Sequence, residues 1–295
     1  MRSFFLVLLS LWMYGCGDQK TEVTKGLKSS VIYGDNDIKE YYEVRRKSLR
    51  KYAQSVAIQV SKHRLDLESD DYYINEETLD DLNLCKNQDA FHTRLSTQPA
   101  LGHCTAFLIN NNTLLTASHC VNEDDSCKDN YWVFNFFISD METQNGPFPY
   151  KDVFSCSEII KMDEDLDYAL IRLDRTARGK RPLKLRKRGK VSNDAPLIVA
   201  GYPQGLPLKF SMNARVRDNQ SESNFIVNSD TFEGNSGSPV INTKNGLVEG
   251  VLIKGENDFD LQEKASATCQ VLKYCPEDKC IGEHILRTTS LNLEI

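Results

Sequence analysis

Positive charge is not in surplus in this sequence. The formal net charge is −6, which argues against nucleic acid as a partner. The one basic run, Lys184, Arg186, Lys187, Arg188 and Lys190, has no aromatic residue interleaved with it and reads as a solvated linker. Beyond the extreme N-terminus no apolar stretch is long enough to cross a bilayer. Neither a Cys-x-x-Cys nor a His-x-x-x-His cluster occurs, so a zinc site lacks ligands at the usual spacing. No metal and no organic cofactor is expected. Internal repeats and low-complexity tracts are absent, and histidine is scarce, with five in all.

What is present is a globular composition, 40% hydrophobic with aromatics spread along the chain. The N-terminus has the pattern of an export signal over residues 1–16: Arg2, then an apolar stretch from Phe4 to Tyr14 that is too short to span a bilayer. It ends in Met13-Tyr14-Gly15-Cys16 before a polar run. A small residue before a cysteine at this place resembles the bacterial lipoprotein cleavage site, in which Cys16 becomes the lipidated first residue. An ordinary cleaved signal peptide is the alternative. Either way the protein is expected outside the cytoplasm, secreted or membrane-anchored, with any membrane attachment through acyl chains. Residues 17–30 are polar and read as a flexible tether. Without Cys16, eight of the nine cysteines remain: Cys85, Cys104, Cys120, Cys127, Cys156, Cys269, Cys275 and Cys280. An even number behind an export signal reads as a disulfide framework.

Residues Tyr41 to Val60 predict a helical stretch passing into a short strand at Ser55–Val60, and the acidic Glu68-Ser69-Asp70-Asp71 reads as a loop. From Cys104 onward, short β-branched and aromatic runs alternate with turn residues. Ala106–Ile109 and Thr113–Thr116 flank an Asn110-Asn111-Asn112 turn. Further strands are predicted at Trp132–Ile138, Val153–Ile160, Tyr168–Leu173, Leu197–Ala200, Ala214–Val216, Phe225–Val227, Pro239–Ile241 and Val248–Ile253. Many short, closely spaced strands mean an all-β sandwich or barrels. The polar segment Arg175–Lys190 divides them into two groups.

Three motifs follow in order: Thr116-Ala117-Ser118-His119-Cys120 behind an apolar strand, Asp165-Leu166-Asp167-Tyr168-Ala169-Leu170-Ile171 opening another, and Gly234-Asn235-Ser236-Gly237-Ser238-Pro239-Val240 before a third. With these motifs the chain resembles the chymotrypsin-like serine proteases from about Cys104 to Ile253. The resemblance implies two packed antiparallel β-barrels of six strands each, the first over about 50–175 and the second over about 190–290 of a domain spanning 31–295. It implies a catalytic triad of His119, Asp167 and Ser236, and an oxyanion hole at Gly234, Asn235 and Ser236. Protein or peptide substrates follow. A serine hydroxyl is a poor nucleophile at neutral pH and needs a neighbouring base. His119 takes that role, and Asp167 holds its imidazole in the right tautomer. Asp163, Asp165 and Asp174 compete with Asp167, which is favoured because it directly precedes the apolar run. His63, His92, His103 and His284 lack a matching context.

By the same resemblance Cys120 pairs with Cys104 and braces the loop that carries the base. Cys127 and Cys156 are a second expected pair, while partners for Cys85, Cys269, Cys275 and Cys280 stay unassigned. Asn235 stands where the digestive members carry an aspartate, so their N-terminal activation switch is not expected. The Gly-Asn-Ser-Gly-Ser-Pro-Val run is similar to the bacterial branch that includes the glutamyl endopeptidases. Val31–Asp37 resembles the mature start of that branch, which suggests cleavage before Val31. Asp230, six residues before Ser236, is either the base of a pocket for Lys or Arg or a structural acid. Thr231 matches the hydroxyl residue of the glutamyl enzymes, and Gly255 matches the glycine of the pocket wall. A binding protein on the same fold, and an esterase with the same triad, remain as alternatives.

Overall fold

The computed structural model describes residues 32–76, 83–85, 97–121, 126–140, 146–255, 257–264, 267–276 and 279–293. The export signal, Cys16, the 17–30 tether and Val31 lie outside the described residues.

The predicted helical stretch forms as a series of short turns. Tyr41–Glu43 and Lys51–Ser55 are 3-10 turns, and Lys47–Arg50 is a single α turn. They lead into the Val56–Ser61 strand. That strand pairs antiparallel with Cys104–Leu108 on one edge and Asn130–Phe134 on the other. From Cys104–Leu108 the ladder runs on through Thr113–Thr116, Tyr168–Leu173 and Val153–Asp163, and returns to Asn130–Phe134. These six strands form a closed barrel, which leaves no edge exposed.

Alternation along these strands sets the two faces. Ala57, Ala106, Leu114, Trp132, Phe134 and Ile171 belong to a cluster made of first-barrel residues, its interior. Their neighbours Val56, Ile58, Phe107, Leu115 and Val133 join a cluster that also takes in Ile198, Ala200, Phe210, Ile241, Val251 and Leu286 from the second sheet. The same alternation in the second sheet sends Leu197 and Val199 to a separate interior with Val240, Phe225 and Ile285. Both faces of a strand are therefore apolar, and each fully buried Val, Leu or Phe contributes about 1.5–3 kcal/mol. The seam between the two sheets is the largest of the clusters.

The second sheet departs from a closed six-stranded ring. Its strands run in the order Val216–Asp218, Asn224–Val227, Glu283–Arg287, Leu247–Lys254, Pro239–Asn242, Leu197–Gly201, Lys209–Ala214 and Ile38–Glu40. Lys184–Leu185, from the basic linker, adds in parallel to Leu247–Lys254. The Lys209–Ala214 strand has Leu197–Gly201 on one edge and Ile38–Glu40 on the other. No edge is left at Lys209–Ser211 for closure onto Val216–Asp218, so the sheet stays open. An N-terminal strand thus completes the second half of the molecule, which the sequence did not reveal. The acidic Glu68–Asp71 stretch, expected as a loop, is the turn of a hairpin between Leu65–Glu68 and Asp71–Ile74, with Ser69 at φ 58°.

Four disulfides are present: Cys104–Cys120, Cys127–Cys156, Cys85–Cys269 and Cys275–Cys280. Such a framework belongs to an oxidising, extracytoplasmic compartment. Among the described residues no helix is long and apolar enough to cross a membrane.

Candidate active site

His119 sits in the 3-10 turn Ser118–Cys120, directly behind the Thr113–Thr116 strand. The Cys104–Cys120 disulfide ties this turn to the neighbouring strand. Gln59 Nε2 donates to the Cys120 carbonyl at 2.9 Å from the strand beyond. The turn therefore has little freedom to carry its ring away.

Asp167 precedes the Tyr168–Leu173 strand, which pairs with Thr113–Thr116. That pairing places its carboxylate against the histidine turn. Oδ2 lies 2.8 Å and Oδ1 3.0 Å from His119 Nδ1. Oδ1 also accepts the His119 backbone N–H at 3.0 Å and the Ser118 hydroxyl at 2.8 Å. Burial pushes the Asp167 carboxyl up, but the bonds from His119 and Ser118 outweigh it and hold the group below its ordinary range. Its backbone is in the left-handed region at φ 56°, a strained conformation for a non-glycine residue. The competing acids go elsewhere: Asp163 accepts the Leu166 N–H at 3.0 Å, and Asp174 pairs with Arg175 at 2.8 Å.

Ser236 lies in a tight turn between the two sheets. Its carbonyl accepts the Thr105 N–H at 2.8 Å, and the Gly237 N–H donates to Leu252 at 2.7 Å. A Cβ on Gly237 would fall 2.0 Å from the Thr105 carbonyl oxygen and 3.1 Å from Ala117 N. Only glycine lets the Ser236 loop approach so near to the strand end that leads into His119. Among the described residues, Ser236 Oγ makes no hydrogen bond with the His119 ring. The structure thus joins His119 and Asp167 directly and brings the Ser236 loop against Ala117, two residues before the histidine.

Gly234 has φ +93°, and a Cβ there would fall 2.3 Å from the Tyr202 carbonyl oxygen. Its own carbonyl accepts the Thr105 hydroxyl at 2.7 Å. The Gly234 and Ser236 N–H groups donate to no acceptor among the described residues. The Asn235 N–H donates to the Phe232 carbonyl at 2.9 Å. Asn235 therefore offers no amide to an oxyanion, a correction to its expected part in the hole; it closes the turn instead.

Of the expected pocket residues, Asp230 and Thr231 are buried and bonded within the protein. Asp230 is buried, its Oδ1 accepting the Tyr33 N–H at 2.8 Å and its Oδ2 the Asp37 N–H at 3.0 Å. The Thr231 hydroxyl donates to buried Glu283 at 2.6 Å. Gly255 follows the Leu247–Lys254 strand and is partly exposed. Asp258, which follows Gly255 in the sequence, had no role assigned to it; its carboxylate meets Glu233 and Gln204, 25 and 54 positions away, and no motif marks it.

A family model described as the trypsin-like peptidase domain matches residues 104–251. No protein of curated function matches the chain. Among solved structures, a Glu endopeptidase in complex with MPD is 15% identical, covering 88% of this chain and 94% of its own, with a TM-score of 0.48. Rv3671c from M. tuberculosis H37Rv, in a mutant inactive form, is 14% identical, covering 88% of this chain and 91% of its own, with a TM-score of 0.46. A serine endoprotease from Yersinia pestis is 11% identical, covering 73% of this chain and 57% of its own, with a TM-score of 0.45.

Proposed function

Because the chain belongs to the trypsin-like peptidase family, a family of serine-type endopeptidases, we propose that it cleaves peptide bonds through an acyl-enzyme on Ser236. The observation that carries this reading is the His119–Asp167 pair. With Nδ1 committed to the carboxylate at 2.8 Å, Nε2 is the ring nitrogen left to act as base. Ser236 Oγ attacks the scissile carbonyl carbon and gives its proton to Nε2. The carbonyl oxygen becomes an oxyanion and takes the Gly234 and Ser236 N–H groups. The C–N bond breaks as the imidazolium returns the proton to the leaving amine, and water repeats the sequence to release the acyl group. Catalytic hydrogen bonds often tighten only in the substrate complex, so the Ser236 Oγ to His119 Nε2 bond is formed there.

The test is labelling by a fluorophosphonate probe. Wild type is expected to react and Ser236→Ala to stay unlabelled; equal labelling of both overturns Ser236 as the nucleophile, and labelling of neither favours a binding protein. Matched peptide and ester substrates separate the peptidase from an esterase.

For specificity, the two amides on Asp230 favour the structural acid over a pocket for Lys or Arg. A peptide-library digest reads the preference directly. The export signal, the 17–30 tether and lipidation at Cys16 complete the proposal: the enzyme works outside the cytoplasm, held by acyl chains or released.

A further inference from the structure

The Gly234 N–H can serve an oxyanion only if the peptide between Glu233 and Gly234 is turned the right way. A trans peptide is planar, with its carbonyl and its N–H on opposite sides. Whatever holds the Glu233 carbonyl therefore aims the Gly234 N–H. That carbonyl accepts the backbone N–H of Gln204. Glycine at 234 offers little resistance to rotation of the unit, since both signs of φ are open to it. A rotated peptide would present the Glu233 carbonyl oxygen where the substrate oxyanion belongs.

Asp258 ties both ends of this arrangement together. Its Oδ2 accepts the Glu233 N–H at 2.8 Å and also the side-chain amide Nε2 of Gln204. One carboxylate oxygen thus fixes the peptide before Glu233 and, through Gln204, the carbonyl after it. Gln204 itself is in the left-handed region at φ 54°, a conformation that persists in a non-glycine residue only when its surroundings enforce it. Asp258 is 7% exposed, and its carbonyl accepts the Lys273 N–H at 3.0 Å. It directly precedes the Phe259–Lys264 strand, whose hairpin partner Ala267–Leu272 carries Cys269, bonded to Cys85. The Phe259 ring lies 6.1 Å from that of Phe232, centre to centre. The carboxylate is therefore mounted on a stapled element outside the loop it steadies.

We propose that Asp258 is a positioning residue for the oxyanion hole, holding the Glu233–Gly234 peptide with its N–H aimed at the reacting carbonyl. The inference rests on the acyl-enzyme reading above. It is tested on the full-length enzyme with Asp258→Ala, Asp258→Asn and Gln204→Ala. For each variant, kcat and KM on a peptide substrate, the affinity of a peptide aldehyde and the melting temperature are measured. Losing one oxyanion donor costs about a hundredfold to a thousandfold in kcat, so a loosened donor is expected to cost about tenfold to a hundredfold. Asp258→Ala should lower kcat and aldehyde affinity by the same factor, with KM within about twofold, when assayed well below the variant's own melting temperature. Asp258→Asn, which keeps an acceptor oxygen, should recover most of the loss. Unchanged kcat in Asp258→Ala overturns the proposal, as does a loss of kcat with aldehyde affinity intact. So does a fall in kcat that merely follows the melting temperature. If Asp258→Ala does not fold, Gln204→Ala decides, since it keeps the backbone N–H and removes only the tie; unchanged kcat there overturns the proposal. Failure of wild type to react with the fluorophosphonate removes the acyl-enzyme reading first, and the positioning role with it.

Discussion

Asp167 takes three kinds of donor on one carboxylate: a ring nitrogen, a backbone N–H and a hydroxyl. The hydroxyl and the backbone N–H need no catalytic explanation; they fix the acid in place, and the strained φ of 56° is what lets it reach all three. The same contacts make it a source of pH-dependent stability. The folded carboxyl is held below its unfolded value, so its contribution is full above the ordinary carboxylate range, near about pH 4. It is lost as pH falls through the depressed folded value. Wild type should therefore lose urea resistance on acidification more steeply than Asp167→Asn. Parallel slopes between about pH 5 and pH 2 would remove this account. At neutral pH the same substitution should lower kcat on the order of ten-thousandfold, by leaving the imidazole in the wrong tautomer.

At the scale of elements, the strand that leads out of Asp167 was legible and the Lys209–Ala214 strand of the second sheet was not. Tyr168–Leu173 announces itself because it opens with four successive apolar residues, Tyr168, Ala169, Leu170 and Ile171, all buried. Lys209–Ala214 reads Lys-Phe-Ser-Met-Asn-Ala, with no β-branched residue, yet it is a central strand. Its lysine suggests exposure, but Lys209 is 3% exposed and lies 3.1 Å from Glu40, itself 1% exposed, on the N-terminal strand. The partner that makes this burial tolerable is 169 positions away, and no local pattern shows it. Asp230 was ambiguous for the same reason, its two amide donors lying 197 and 193 positions off. The buried pair gives a prediction about how the strand is held. Removing one partner leaves a charge without compensation, so Lys209→Met should cost about 3–5 kcal/mol by chemical denaturation. Adding Glu40→Leu should restore part of that loss. A double variant as unstable as the sum of the two single changes would show that the ion pair does not couple the strands.

Over the whole molecule, the N-terminal segment is built into the second half, far from it in sequence. Ile32 and Tyr33 pair in parallel with Tyr274 and Cys275, and Asp230 takes the Tyr33 and Asp37 amides. Asp37 in turn accepts the Met212 N–H at 3.0 Å, and Ile38–Glu40 completes the edge of the second sheet. Asp230 stands four residues before Gly234, so a segment at the far end of the chain steadies the loop that carries Gly234 and Ser236. Within the described residues these contacts begin at Ile32. If the proposed export leader and tether end before Val31, removing them should leave the enzyme intact. A chain beginning at Val31 is expected to keep the melting temperature and kcat/KM of the longer form. One beginning at Tyr41 lacks the edge strand and both Asp230 donors, and should lose fluorophosphonate reactivity together with stability. The contrast separates a structural strand from a removable leader. If both truncations react like wild type, the segment from Ile32 to Glu40 is dispensable and the second sheet holds the Gly234–Ser236 loop by itself.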